Sequence, residues 1–107
     1  MFVAVGDSGT IMTSVDGLEW EQQFSGSNEY LTSVVWGDGQ FIAVGHWNTV
    51  LASLNDRQWS SRETWIQKPN GGDPNYSSLA FGNGTYVAAG DMTIYSQNGI
   101  DWEIFEH

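Results

Sequence analysis

The chain has 107 residues, the length of a single domain, and surface scaling has such a chain bury roughly 65% of its unfolded surface in one core. Thirteen acidic residues against three basic ones give a net charge of -10, which argues against a nucleic-acid partner. Aromatic residues at 14% supply the apolar area that a disordered acidic chain lacks, and the absence of cysteine excludes a disulfide framework, a thiolate metal site and a cysteine nucleophile.

The opening residues Met1-Phe2-Val3-Ala4-Val5-Gly6 carry neither the basic region nor the long apolar run of a secretory signal. No later stretch reaches the length of a membrane span, so a soluble chain without signal peptide or transmembrane segment is expected, its compartment unknown. Phe2-Val3-Ala4-Val5-Gly6 recurs as Phe41-Ile42-Ala43-Val44-Gly45 and again as Tyr86-Val87-Ala88-Ala89-Gly90. Thr10-Ile11, Thr49-Val50 and Thr93-Ile94 follow in the same order. Each copy closes on a turn and a tryptophan: Ser14 to Trp20, Ser53 to Trp59, Ser96 to Trp102. The tryptophans stand about 40 residues apart, a period typical of repeat architectures.

Within a copy, short runs of valine, isoleucine, threonine and aromatics alternate with turn residues too closely for ordinary helices, which predicts an all-β chain. One full copy reads as strands over Leu31 to Trp36, Phe41 to Val44, Thr49 to Ser53, and Trp59 onward. Gly37-Asp38-Gly39 and Gly82-Asn83-Gly84 supply the positive φ of tight hairpins. Leu31 to Trp36 has its counterpart in Ser77 to Phe81, and no such strand precedes Phe2. The prediction is therefore about eleven strands in β-propeller blades of four, a partial blade over 1-30 and full blades over 31-76 and 77-107. Ala4, Ala43 and Ala88 are expected to be small because neighbouring inner strands crowd. An open row of blades exposes strand edges, so a homo-oligomer is expected, as a dimer closing a ring, or else a place in a larger propeller.

The segment Ser14-Val15-Asp16-Gly17-Leu18-Glu19-Trp20 resembles the Asp-box of bacterial neuraminidase (BNR-like) repeats. The phrase from Phe2 through Trp20 is similar to the repeats of photosystem II stability and assembly factors and of sialidase-like propellers. The usual box reads Ser-x-Asp-x-Gly-x-x-Trp; here one residue is missing before the glycine, Asn55-Asp56 stands in the second copy and Asn98 in the third. The resemblance implies a structural role for Ser14, Asp16, Gly17, Trp20, Ser53, Asn55, Trp59, Ser96, Asn98, Gly99 and Trp102. The chemistry agrees, since a short side-chain oxygen can accept backbone N–H groups inside its own turn. The tryptophans are expected as core or lid residues.

The same resemblance implies, for a sialidase, an arginine triad, and the chain holds only Arg57 and Arg62. Two carboxylates would suffice for general glycoside hydrolysis, but the acids fall in predicted turns or beside a box tryptophan. His46 and His107 are the only histidines, neither in a nucleophile elbow. No calcium loop or phosphate cradle is spelled out either. The expectation is no catalytic residue, no metal and no cofactor. Asn75-Tyr76-Ser77 and Asn83-Gly84-Thr85 match the glycosylation triplet, which means little without secretion.

Propeller topology would gather Asp7-Ser8-Gly9, His46-Trp47-Asn48 and Asp91-Met92 on one loop face. The second copy diverges most, with His46-Trp47 in place of a small polar pair and a longer following segment. Candidate ligand-binding residues are therefore His46, Trp47, Asn48, Asp7, Asp91 and Trp65, with tryptophan as a stacking platform for a sugar. The competing expectation, favoured by burial statistics, packs Trp47 against a neighbouring blade. Two functions follow: a non-catalytic scaffold presenting an acidic face to a protein, or a lectin-like carbohydrate module.

Overall fold

The computed structural model describes residues 1–55, 58–62, 64, 66–69 and 71–105. Eleven strands run in chain order: β1 (Phe2–Val5), β2 (Ile11–Ser14), β3 (Glu21–Gln23), β4 (Leu31–Gly37), β5 (Gln40–Gly45), β6 (Val50–Ser53), β7 (Ser60–Ser61), β8 (Tyr76–Gly82), β9 (Thr85–Gly90), β10 (Thr93–Ser96) and β11 (Glu103–Ile104). They form three antiparallel meanders, β1-β2-β3, β4-β5-β6-β7 and β8-β9-β10-β11, and none closes into a barrel. No α-helix occurs among the described residues. The all-β prediction and its partition into three, four and four strands match this order.

The hairpins explain where strand ends depart from expectation. Asp38 and Gly39 have φ of 51° and 80°, Asn83 and Gly84 of 51° and 73°. Two consecutive left-handed residues make the tightest reversal, so Gly37 pairs with Gln40 and Gly82 with Thr85, and both first strands run one residue further than predicted. Each first strand also carries a bulge near its start, at Thr32 and at Ser77. The outermost strands of the two four-stranded sheets, β7 and β11, are two residues each, exposed at the sheet margin with one neighbour, and β7 begins one residue after Trp59.

Alternation along β5 builds two cores. Ala43 turns toward the first sheet, where it packs with Leu31 and Leu51 against Ile11, Val3 and Val5. Ile42 and Val44 turn the other way and join Val50 and Ala52 against Tyr76, Leu79, Tyr86, Ala88 and Ile94 of the third sheet. Full burial of such a side chain contributes roughly 1.5–3 kcal/mol, so this second seam dominates the stability of the chain. It is also pinned by polar contacts: the Tyr86 hydroxyl donates to the Gly37 carbonyl, while Gln40 Nε2 donates to Tyr86 Oη at 3.3 Å and to the Asn98 carbonyl at 2.8 Å. Thr32 Oγ1 lies 2.6 Å from the Tyr76 carbonyl and ties the two first strands together.

Equivalent positions in the three sheets are covered to different degrees. Phe2 is 54% exposed, Phe41 is half-buried and Tyr86 is sealed; Trp20 is 41% exposed, Trp59 half-buried and Trp102 buried. Trp20 bonds its own turn but leaves more of its ring exposed than Trp59 or Trp102, and Ala4 is exposed while Ala43 and Ala88 are fully buried. The cause is position in the row: the face that Tyr86 and Trp102 press onto the second sheet has no counterpart neighbour in the first.

The turns after β2, β6 and β10 share one hydrogen-bond pattern. Ser14 Oγ accepts the N–H groups of Asp16 and Gly17 at 3.2 and 2.7 Å, and Asp16 Oδ1 accepts those of Leu18 and Glu19 at 2.8 and 3.1 Å. Ser96 Oγ serves Asn98 and Gly99 at 3.3 and 2.8 Å, and Asn98 Oδ1 serves Ile100 and Asp101 at 2.8 and 2.9 Å. In the middle turn Ser53 Oγ accepts from Asn55 at 3.3 Å and Asn55 Oδ1 from Gln58 at 3.0 Å. Asn replaces Asp at no geometric cost because only one oxygen is used. Gly17 and Gly99, at φ 82° and 76°, present carbonyls that accept the indole N–H of Trp20 and Trp102. The backbone donors of Leu18 and Glu19 hold the Asp16 carboxyl below its ordinary 3.8.

Candidate functional site

The β1–β2, β5–β6 and β9–β10 connections leave the sheets at the end opposite those turns. Their backbones differ. Gly6 N–H bonds the Thr10 carbonyl and Gly45 N–H the Thr49 carbonyl, closing loops of equal length, whereas Gly90 N–H bonds Met92 in a shorter one. Both longer loops carry consecutive left-handed residues: Ser8 and Gly9 at φ 55° and 68°, Trp47 and Asn48 both at 58°. A tryptophan in that region is unusual, because its Cβ crowds the following carbonyl.

What holds Trp47 there is a set of bonds reaching from the entry to β8. Trp47 N–H donates to Asn75 Oδ1 at 2.8 Å, and Asn48 N–H to the Pro74 carbonyl at 2.6 Å. Asn75 also receives the Asp91 N–H on its carbonyl and donates its own N–H to Asp91 Oδ2, both at 3.0 Å. Asn75 thus joins the second and third loops. The Asn48 side chain is used internally: Oδ1 accepts from Thr64 Oγ1 at 3.0 Å and Tyr76 Oη at 2.7 Å, and Nδ2 donates to the Ile66 carbonyl at 3.0 Å. Burial, with the charges of Asp73 and Asp91 adding to it, pushes the Tyr76 phenol well above its usual value.

The six candidates fall into different places. His46 stacks on Tyr30 with ring centroids 5.0 Å apart and gives its N–H to the Tyr30 carbonyl. Trp47 is 64% exposed, so the expectation that it packs on a neighbouring sheet is overturned; the left-handed backbone turns the ring outward. Asn48 is a strut, with no spare polar atom facing out. Asp91 is exposed and tied to the Trp47 loop through Asn75. Asp7 lies exposed on the first loop, where its carbonyl accepts from Thr10, and among the described residues no hydrogen bond links it to the Trp47 cluster. Trp65 lies outside the described residues, as do Asp56, Arg57, Asn70 and His107.

Beside Trp47 opens a depression of about 190 Å³ whose lining includes Ser61, Arg62, Thr64 and Asp73. Arg62 Nε is buried and has no hydrogen-bond partner among the described residues. Ahead of Asp73 the chain makes a closed turn: Gly71 N–H bonds the Lys68 carbonyl at 2.8 Å and Lys68 N–H the Gly72 carbonyl at 3.0 Å. Sequence reasoning missed Asn75 and Tyr76, which it met only as a glycosylation triplet. Their signal was positional, because Asn75 stands directly before a first strand, as Tyr30 does. Among the described residues no group of three or more histidine, aspartate or glutamate side chains converges to hold a metal ion. Among the described residues no helix is long and apolar enough to cross a membrane.

In comparisons with known proteins, no family model, curated protein or solved structure matches the chain.

Proposed function

We propose that the chain is a non-catalytic interaction scaffold of β-propeller type, its sheets serving as successive blades, and that it binds a protein partner at the loop end carrying Trp47. One observation carries the reading: a tryptophan held in a left-handed conformation, locked by Asn75 and Pro74, and turned 64% to solvent where the equivalent loop has serine. Backbone strain of this kind costs about 1–3 kcal/mol and persists where the surroundings over-determine it. A large rigid aromatic is the side chain that dominates binding surfaces. Asp73 and Asp91 stand exposed around it, in a chain of net charge -10, so a partner with a basic patch fits.

Three like meanders, the shared Ser-Asp/Asn turns and the Asp-box resemblance support the propeller reading. Ring completion by a second copy, or by further blades, belongs to the same proposal, and light scattering tests it against a mass twice 11.8 kDa. A carbohydrate is the second reading, favoured by the Arg62 guanidinium and Ser61 hydroxyl beside the ring. Arrays of basic peptides and of glycans, probed with the wild type and with Trp47→Ala, separate the two. Salt-sensitive peptide binding lost in the variant supports the scaffold. Glycan binding lost in the variant supports the lectin, and binding untouched by the substitution refutes this site.

A further inference from the structure

We infer that the outer edge of β1 is an acceptor site for an extended, uncharged peptide segment, bound antiparallel to β1 and ending in an aromatic residue followed by glycine. The slot that takes its aromatic and glycine lies at the opposite end of the strands from Trp47, and the site does not rest on the function proposed for that loop.

The internal repeat supplies the template. Met1 to Gly6 correspond in the repeat to Gln40 to Gly45 and Thr85 to Gly90. In the second and third sheets the strand built from these residues is flanked on its outer side by β4 or β8; β1 is the edge of its sheet and pairs with β2 alone. Its outer row of backbone donors and acceptors is of the kind to which added strands bind. The register follows from the two complete sheets, where Trp36 pairs with Phe41 and Gly37 with Gln40, and Phe81 with Tyr86 and Gly82 with Thr85. An added strand sets its aromatic opposite Phe2 and its glycine opposite Met1.

The seam between the second and third sheets shows why glycine belongs there. The Gly37 backbone stands close against the ring of Phe81, and a Cβ at that position would stand 2.4 Å from ring carbons. One repeat earlier, Trp36 takes the place of Phe81 and is 54% exposed. Beside it is an apolar slot of about 440 Å³ lined by Met1, Trp36, Phe41, Leu54 and Asn55. The slot is thus a continuation of an interface that the chain already builds once. Gly6 tells the same story: a Cβ there meets nothing, whereas at Gly45 and Gly90 it would strike the carbonyls of Tyr30 and Asn75, just ahead of the flanking strand.

Charge selects the occupant. Among the described residues no acidic or basic side chain lines the slot, although the chain carries a net charge of -10. β4 and β8 are themselves uncharged, with a hydroxyl at the bulge, valine or leucine at the fourth position, an aromatic at the sixth and glycine at the seventh. A segment of that chemistry completes the sheet and covers Trp36 in one step.

The test uses an acetylated, amidated peptide with the sequence of residues 76–82, added to the whole chain. Amide exchange in Phe2 to Gly6 is expected to slow at least tenfold on saturation. A peptide with valine in place of its final glycine, and the protein variant Trp36→Ala, are each expected to bind at least tenfold more weakly. To guard against a poorly soluble peptide, the sequence of residues 76–84 is also fused directly ahead of Met1, where its Asn-Gly turn sets the register. That fusion is expected to raise Tm by several degrees and to protect β1. Unchanged exchange and unchanged Tm in the fusion overturn the proposal. So does equal binding by the valine peptide, or a wild-type dimer in which β1 is already protected by a second copy.

Discussion

Gly37 and Gly82 occupy the same repeat position, both before a two-residue hairpin and both at φ values open to any residue, yet a methyl group meets opposite surroundings at the two. At Gly37 a Cβ would stand 2.4 Å from two ring carbons of Phe81 and 2.8 Å from a third; at Gly82 it meets nothing within 4 Å. Phe81 cannot simply swing away, since its ring packs against Tyr86 with centroids 4.6 Å apart and Tyr86 is bonded to the Gly37 carbonyl. Gly37→Ala therefore forces the seam open. Overpacking of this kind costs about 1–3 kcal/mol, and the weakened Tyr86 contact adds to it. At about 4–8 °C per kcal/mol for a domain near this size, Tm falls by roughly 5–20 °C. Gly82→Ala is expected to stay within about 0.5 kcal/mol of the wild type. Urea and thermal denaturation of both variants, followed by tryptophan fluorescence, measure the difference. Equal destabilisation by the two substitutions, or a larger effect at Gly82, would refute the account of the seam.

The same logic predicts that Gly45→Ala destabilises strongly while Gly6→Ala is close to neutral, read by the urea midpoint, because only Gly45 faces a carbonyl at contact distance. Asp16 has its carboxyl pKa lowered by the Leu18 and Glu19 N–H groups, so its contribution is present above the ordinary 3.8 and is lost as pH falls through the depressed value. An NMR titration should find Asp16 ionised to lower pH than an unperturbed aspartate, and Asp16→Asn should keep the turn while removing that acid limb. Tyr76 has its phenol raised by burial, which stabilises the fold below the ordinary 10.0 and is lost as pH climbs from there toward the folded value. Alkaline unfolding should accordingly move to higher pH in Tyr76→Phe, at the expense of the bond to Asn48 near neutrality. Trp47→Gly relieves a left-handed side chain worth about 1–2 kcal/mol, offset by glycine's backbone entropy, so stability should hold or rise while partner binding disappears. A marked fall in the urea midpoint would mean that the indole packs rather than displays.

The repeat was legible because its signals are local. Asn-Gly and Asp-Gly hairpins, a serine two residues before an aspartate or asparagine, and alternating apolar residues each specify their own few residues of backbone. What escaped was set by neighbours. Trp20, Trp59 and Trp102 occupy one position in the repeat, and their different burial depends on which sheet lies across from them. Trp47 read as a packed residue on composition alone, since nothing local shows that two successive left-handed residues will turn the ring out. The role of Asn75 depends on contacts 16 and 28 positions away in sequence, to Asp91 and Trp47, and no periodicity reports those.

The polar knot of Tyr86, Gln40, Gly37 and Asn98 has a consequence for the order in which the molecule comes apart. Rows of sheets that touch only their neighbours behave as a one-dimensional array, in which each junction sets how far an opening spreads. The knotted junction makes the last two-thirds of the chain a single cooperative unit. The junction ahead of it rests on the buried Ile11, the half-buried Val3 and Val5 and a few backbone bonds at one end, a smaller contact than the knotted one, so the first thirty residues can peel away alone. Proteases and fraying should therefore enter from that side, leaving a trimmed remnant that still melts sharply.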